Sequence, residues 1–266
     1  MDKGLYLYCI RAKNSHKFSA KGINGGRVFI IPYKNLETIV SEVSLKEFDS
    51  EEIQSKAQED LKWIAEKAQI HERVIDQAMN KGGETIPVIP MKFGAIFKNK
   101  ENLLKTVKQH YSEFKKTLDN LSGKEEWGLK VYLIDKERFA DEIKREDKEI
   151  QKIREEMISK PEGLKYFLEK EIDEKISKKI AEKSDEYIKD IFQILSPFSV
   201  REPVINKILP QELAGKGKEM IFNTACLVSK EKVEEFQKAV KRLHKYYYPK
   251  GLWLECTGPW PSYNFV

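Results

Sequence analysis

The sequence predicts an α+β protein of two domains. Residues 1–123 form a small β-sheet backed by helices. Residues 124–266 form a ferredoxin-like β-α-β-β-α-β domain with a charged helical insertion. Three observations predict this. Short apolar runs rich in aromatic and branched residues alternate with longer stretches of helical periodicity. A turn signal at Ser122–Glu126 separates two such sets. Mixed charge fills the segment Lys136–Lys160, where one domain would need an insertion.

In the first domain, Gly4–Ile10 (GLYLYCI) reads as a buried strand. Lys21–Arg27 is a turn leading to a strand at Val28–Ile31 that Pro32 stops, and Leu36–Val43 is a third strand. Asp49 or Ser50 caps a helix with Glu51 and Glu52 in its first turn, running to about Asn80. Its apolar seam passes through Ala57, Leu61, Ile64, Ala68, His71, Ile75 and Ala78, and Gly82-Gly83 ends it. Thr85–Phe97 is extended, its prolines excluding a helix and disfavouring a central strand. One helix then carries Leu104, Val107, Tyr111, Phe114, Leu118 and Leu121.

In the second domain, Trp127–Ile134 is a strand, followed by the charged helices. Ser159, Pro161 and Glu162 form a capping box for a long helix whose seam begins at Leu164 and which ends at Ser196-Pro197. Phe198–Ile208 is extended, Ala214–Lys218 is a turn and Met220–Val228 is a strand. Lys230–Tyr247 is a helix, and Leu252–Thr257 is the last strand. Pro259 and Pro261 prevent regular structure around Trp260, yet Trp260, Tyr263 and Phe265 must bury apolar area on their own domain or on a partner. The tail is expected to be ordered and packed along the seam between the domains and against Pro90–Gly94, with Lys92 at its edge.

Composition narrows the function. The chain has 48 basic and 43 acidic residues, a formal net charge of +5, which hints only weakly at an acidic partner. Its three cysteines, Cys9, Cys226 and Cys256, cannot build a disulfide framework and read as small buried hydrophobes. No apolar run approaches the ~18 residues of a membrane helix, and Met1–Ala12 has no leader pattern. A reducing cytoplasm is the expected setting.

The residues offer little for catalysis. His71-Glu72 lies on a helix, but a zinc-protease motif needs histidine where Ile75 stands. His71 instead reads as a core histidine. Gly22, Gly25 and Gly26, and the later Gly215-Lys216-Gly217-Lys218, precede strands, whereas phosphate loops precede helices. No nucleophile elbow, metal-ligand spacing or paired acid–base couple is present, so no catalytic residue, metal or cofactor is expected. A ferredoxin-like RNA-binding module is the alternative. Val131-Tyr132-Leu133 matches its stacking strand weakly, while Ile221–Val228 lacks the glycine–aromatic pattern.

Several segments together resemble the gas vesicle protein F/L (GvpF/GvpL) family. They are Leu5–Ile10, Leu36–Val43, His71-Glu72-Arg73-Val74, Val88–Phe97 (VIPMKFGAIF), Lys124–Tyr132, Asn223–Val228 and the closing Thr257–Val266 (TGPWPSYNFV). Lys92 stands where the family usually has arginine, Ser262 replaces a proline and Asn264 a serine. The resemblance implies an accessory or minor structural protein of gas vesicle assembly. It would bind the small hydrophobic shell protein (GvpA-type), limit its aggregation during nucleation, and meet other accessory proteins. It implies no enzyme activity. The expected partner-binding residues are Pro90, Met91, Lys92, Phe93, Trp260, Tyr263 and Phe265.

Overall fold

In a computed structural model, which describes residues 3–14, 19–47, 61–208 and 218–266, the chain divides into two units. One runs to Glu126 and takes in Pro259–Val266; the other is Trp127–Gly258. The last eight residues, read from sequence as part of the second domain, thus group with the first unit.

The first unit is built on a sheet of β1 (Lys3–Ala12), β2 (Val28–Tyr33), β3 (Leu36–Ser44), β6 (Val88–Pro90) and β7 (Ile96–Phe97), with spatial order β2-β3-β1-β6 and β7 also on β1. Strand β1 is central and buried along most of its length because helices cover both faces, which explains its unbroken apolar run. Helix α1 (Leu61–Met79) sets Val74, Ile75 and Ala78 against Tyr6 and Tyr8. Helices α2 (Lys100–Gln109) and α3 (Tyr111–Leu121) set Leu103, Val107 and Leu118 against Leu5, Leu7 and Ile10. The register on β3 shifts between Leu7 and Cys9, so Tyr8 is an extra residue and both Tyr8 and Cys9 join the α1 side.

Several expectations are corrected here. Pro32 does not end β2, because β2 is an edge strand and needs no N–H there. The single helix expected before Gly123 is two, divided at His110. Beyond α1, Gly82 and Gly83 (φ 62 and 93) turn a two-residue hairpin of β4 (Asn80–Lys81) and β5 (Glu84–Thr85), which glycines permit at no steric cost. The cap at Asp49 or Ser50, Glu51, Glu52 and the seam residue Ala57 lie outside the described residues.

A buried ion pair that sequence reading missed fastens α1 to the sheet. Arg11 Nε donates to Glu37 at 3.1 Å, and its Nη1 donates to the Ala78 carbonyl at 3.0 Å, in the last turn of α1. A guanidinium suits both acceptors, a carboxylate and a helix C-terminal carbonyl.

The second unit carries a sheet ordered β11-β8-β10-β9, from β8 (Lys124–Leu133), β9 (Val204–Ile205), β10 (Glu219–Ser229) and β11 (Leu252–Trp260). Trp127, Leu129, Val131 and Leu133 alternate along β8 into a core closed by α6 (Glu162–Leu195) and α7 (Val233–Tyr247). The charged segment forms α4 (Lys136–Glu146) and α5 (Lys148–Ile158), tied to α6 by Lys183–Glu146 at 3.0 Å and Lys179–Asp147 at 3.5 Å. Here too the outcome differs in places. Ser159 bonds the Glu156 carbonyl, so no capping box forms and α6 starts directly after Pro161. Leu164, expected in the seam, is exposed. Of Phe198–Ile208 only Val204–Ile205 is strand. Residues 209–217, covering most of the expected Ala214–Lys218 turn, lie outside the described residues. Strand β11 runs on through Pro259 to Trp260, which an outer strand of the sheet tolerates. Cys9 and Cys226 are buried and Cys256 half-buried, all three as free thiols.

Candidate functional site

The expected partner-binding residues all fall in the first unit. The segment between β6 and β7 leaves the sheet edge as a turn, its ends held by Met91 N–H on the Tyr8 carbonyl (2.9 Å) and Leu7 N–H on the Ala95 carbonyl (2.8 Å). Gly94 sits at φ 85, a conformation that favours glycine, and its N–H reaches the Tyr6 hydroxyl at 3.0 Å. Pro90 is buried, Met91 and Phe93 half-buried, and Lys92 exposed. The Phe93 ring meets Tyr6 and His71 edge to face.

The tail converges on the same imidazole. His71 Nε2 lies 3.1 Å from the Met91 carbonyl and 3.2 Å from the Tyr263 hydroxyl, while Nδ1 lies 3.0 Å from the Tyr6 hydroxyl. A carbonyl can only accept, so Nε2 carries the proton and Nδ1 accepts from Tyr6. Burial pushes the imidazole down to about 4, keeping it neutral near pH 7, although the Met91 carbonyl works the other way. His71 is thus the core histidine that its seam position suggested, but it joins three chain segments. Tyr263 in turn donates to Glu72 at 2.7 Å. Burial raises the Glu72 carboxyl, and this hydrogen bond opposes the rise.

A second anchor, which sequence reading missed, is Glu126. Its carboxylate accepts from Asn264 N–H at 3.2 Å and Asn264 Nδ2 at 2.6 Å. Burial nonetheless pushes it up to about 7. Its strand neighbours Trp127, Leu129 and Val131 face the core on the alternate positions, so periodicity alone reads Glu126 as a solvated acid. Phe265 is buried, whereas Trp260 and Tyr263 keep 45% and 37% of their surface exposed, so of the two outcomes expected for the tail, docking on its own domain covers only part of its aromatic surface.

The tail is therefore held by two separate polar anchors, His71 and Glu72 on Tyr263 and Glu126 on Asn264, while Trp260, Tyr263 and Lys92 are exposed and Met91 and Phe93 half-buried. Among the described residues, no group of three or more His, Cys, Asp and Glu is placed to hold a metal ion, and no helix is long and apolar enough to cross a membrane.

Comparison with known proteins agrees with the segment resemblances. The family model described as gas vesicle synthesis protein GvpL/GvpF matches residues 4–266. Gas vesicle protein L1 of Halobacterium salinarum is 24% identical across 100% of this chain and 91% of its own length. Gas vesicle protein F1 of the same organism is also 24% identical, covering 100% and 94%. The crystal structure of gas vesicle protein GvpF from Anabaena sp. PCC7120 superposes with a TM-score of 0.73 at 19% identity, covering 99% of this chain and 98% of that one. That of GvpF from Microcystis aeruginosa gives 0.65 at 18% identity, with 98% of each chain covered.

Proposed function

This chain belongs to the gas vesicle synthesis protein GvpL/GvpF family and has a role in gas vesicle formation, and from that premise we propose that it works by binding the hydrophobic shell protein and limiting its aggregation during assembly. The binding surface in this reading is the tail together with the Pro90–Phe93 turn. One observation carries it: His71 draws Met91 and Tyr263 to a single imidazole, while the tail so docked leaves Trp260, Val266 and part of Tyr263 exposed. Large aromatics left exposed on an ordered segment are typical interface anchors. A protein rich in mixed surface charge can cover apolar subunit surface and remain dissolved. The role needs no catalytic group, and the neutral histidine and protonation-shifted acids at the site serve to hold the tail.

The test is co-purification of the shell protein with the wild-type chain and with a Lys92→Glu, Trp260→Ala double variant. Both positions are exposed, so the fold should persist. The expected result is shell-protein capture by wild type and loss by the variant. Equal capture by both would place the binding surface elsewhere. Failure of the wild type to bind would refute shell-protein binding itself.

A further inference from the structure

Gln237, Lys241 and His244 follow one another along α7 at spacings of four and three residues, which lines them up on one stripe of the helix. They border an open groove of about 430 Å3 in the second unit. Its remaining walls are Trp127, Val240, Trp253, Leu254 and Cys256. Val240 and Leu254 form a buried apolar floor. Trp253 stands as a half-buried wall, its ring edge-on to His244 at 4.7 Å.

The only Lys, Arg, Asp or Glu among the described residues lining the groove is Lys241, and all three polar rim residues can donate a hydrogen bond. The Leu254 N–H donates to His244 Nδ1 at 3.3 Å, which places a ring proton on Nε2 and makes that nitrogen a donor. The Lys241 ammonium is exposed and can only donate. None of the described residues lining the groove is acidic.

From Gln237 to His244 the rim extends ~10 Å along the helix axis. A small carboxylate would meet only one end of such a line. A helix with an apolar stripe bordered by acids two turns apart would meet both the floor and the whole rim. We propose that this groove receives an amphipathic, acid-bordered helix of a partner protein. The proposal stands independently of the tail surface, since it uses none of the same residues.

The experiment uses two synthetic helical peptides with the same leucine stripe, one bordered by glutamates and the other by lysines. Each is titrated into the full 15N-labelled chain while the indole N–H resonance of Trp253 is followed. The glutamate-bordered peptide should shift that resonance and bind at least about tenfold more tightly than the lysine-bordered one. Lys241→Glu should reverse the preference, and Lys241→Gln should abolish it. Equal binding of both peptides, or an unchanged preference in both variants, would overturn the proposal. So would a Trp253 shift produced by decanoate but not by the acidic peptide, or by self-association of the chain alone.

Discussion

The Tyr263 hydroxyl donates to the Glu72 carboxylate at 2.7 Å, joining the end of the chain to α1 across 191 positions of sequence. Its oxygen also lies 3.2 Å from His71 Nε2, which is held by the Met91 carbonyl. The tail is therefore fixed by hydrogen bonds as well as by the burial of Phe265.

Tyr263→Phe removes that donor and leaves a half-buried carboxylate short of a partner. The expected cost is about 1–2 kcal/mol of stability in urea denaturation. Because Glu72 and Tyr263 touch, the double variant Glu72→Gln, Tyr263→Phe should cost less than the two single changes added together. Additive costs would show that the contact contributes nothing.

Deleting Pro259–Val266 exposes the surface under Phe265 and strips Glu126 of both Asn264 donors. A loss on the order of 3 kcal/mol is expected, combining one aromatic burial with a buried carboxylate left unsatisfied. Thermal unfolding should show a clearly lower midpoint, and an unchanged midpoint would mean the tail is not part of the folded unit.

Stability should respond to pH through two opposed groups. Glu126 is raised to about 7, so between its ordinary value near 4.5 and 7 the folded state holds more protons, and stability falls as pH rises. His71 is lowered to about 4, so between 4 and its ordinary 6.5 the unfolded state holds more protons, and stability is lost as pH falls. The two slopes oppose one another between about 4.5 and 6.5. Glu126→Gln removes one of them, so relative to wild type the variant should gain on the order of 2 kcal/mol between pH 5 and pH 7.5. Denaturation of both proteins at those two pH values measures the difference; identical pH dependence would show that Glu126 titrates normally.

Arg11→Met leaves Glu37 buried beside an apolar side chain and frees the Ala78 carbonyl. Removing one partner of such a buried pair typically costs about 3–5 kcal/mol. Slowed or lost folding, read by circular dichroism, is expected, while a loss below about 1 kcal/mol would mean the pair can be relaxed by water.

The sequence by itself determined the α+β class, the six long strands and the approximate positions of the helices, because apolar period and turn residues act over a few neighbours; the short strands β4 to β7 and β9, whose pairing is decided by distant partners, were not legible as strands. It also marked Pro90–Phe93 and the aromatic tail as segments that need covering by their own domain or by a partner, since apolar side chains beside prolines cannot be hidden in a local element. Only the tertiary structure decided which polar atoms hold those segments in place. That Tyr263 would reach Glu72 and His71, that Asn264 would seat on Glu126, and that Arg11 would be buried on Glu37 all depend on partners 26 to 192 positions apart. A carboxylate or guanidinium reads as solvated in any local window; its burial is set by which distant donors the fold brings within hydrogen-bond range, and those distances exist only once the sheet and helices have packed.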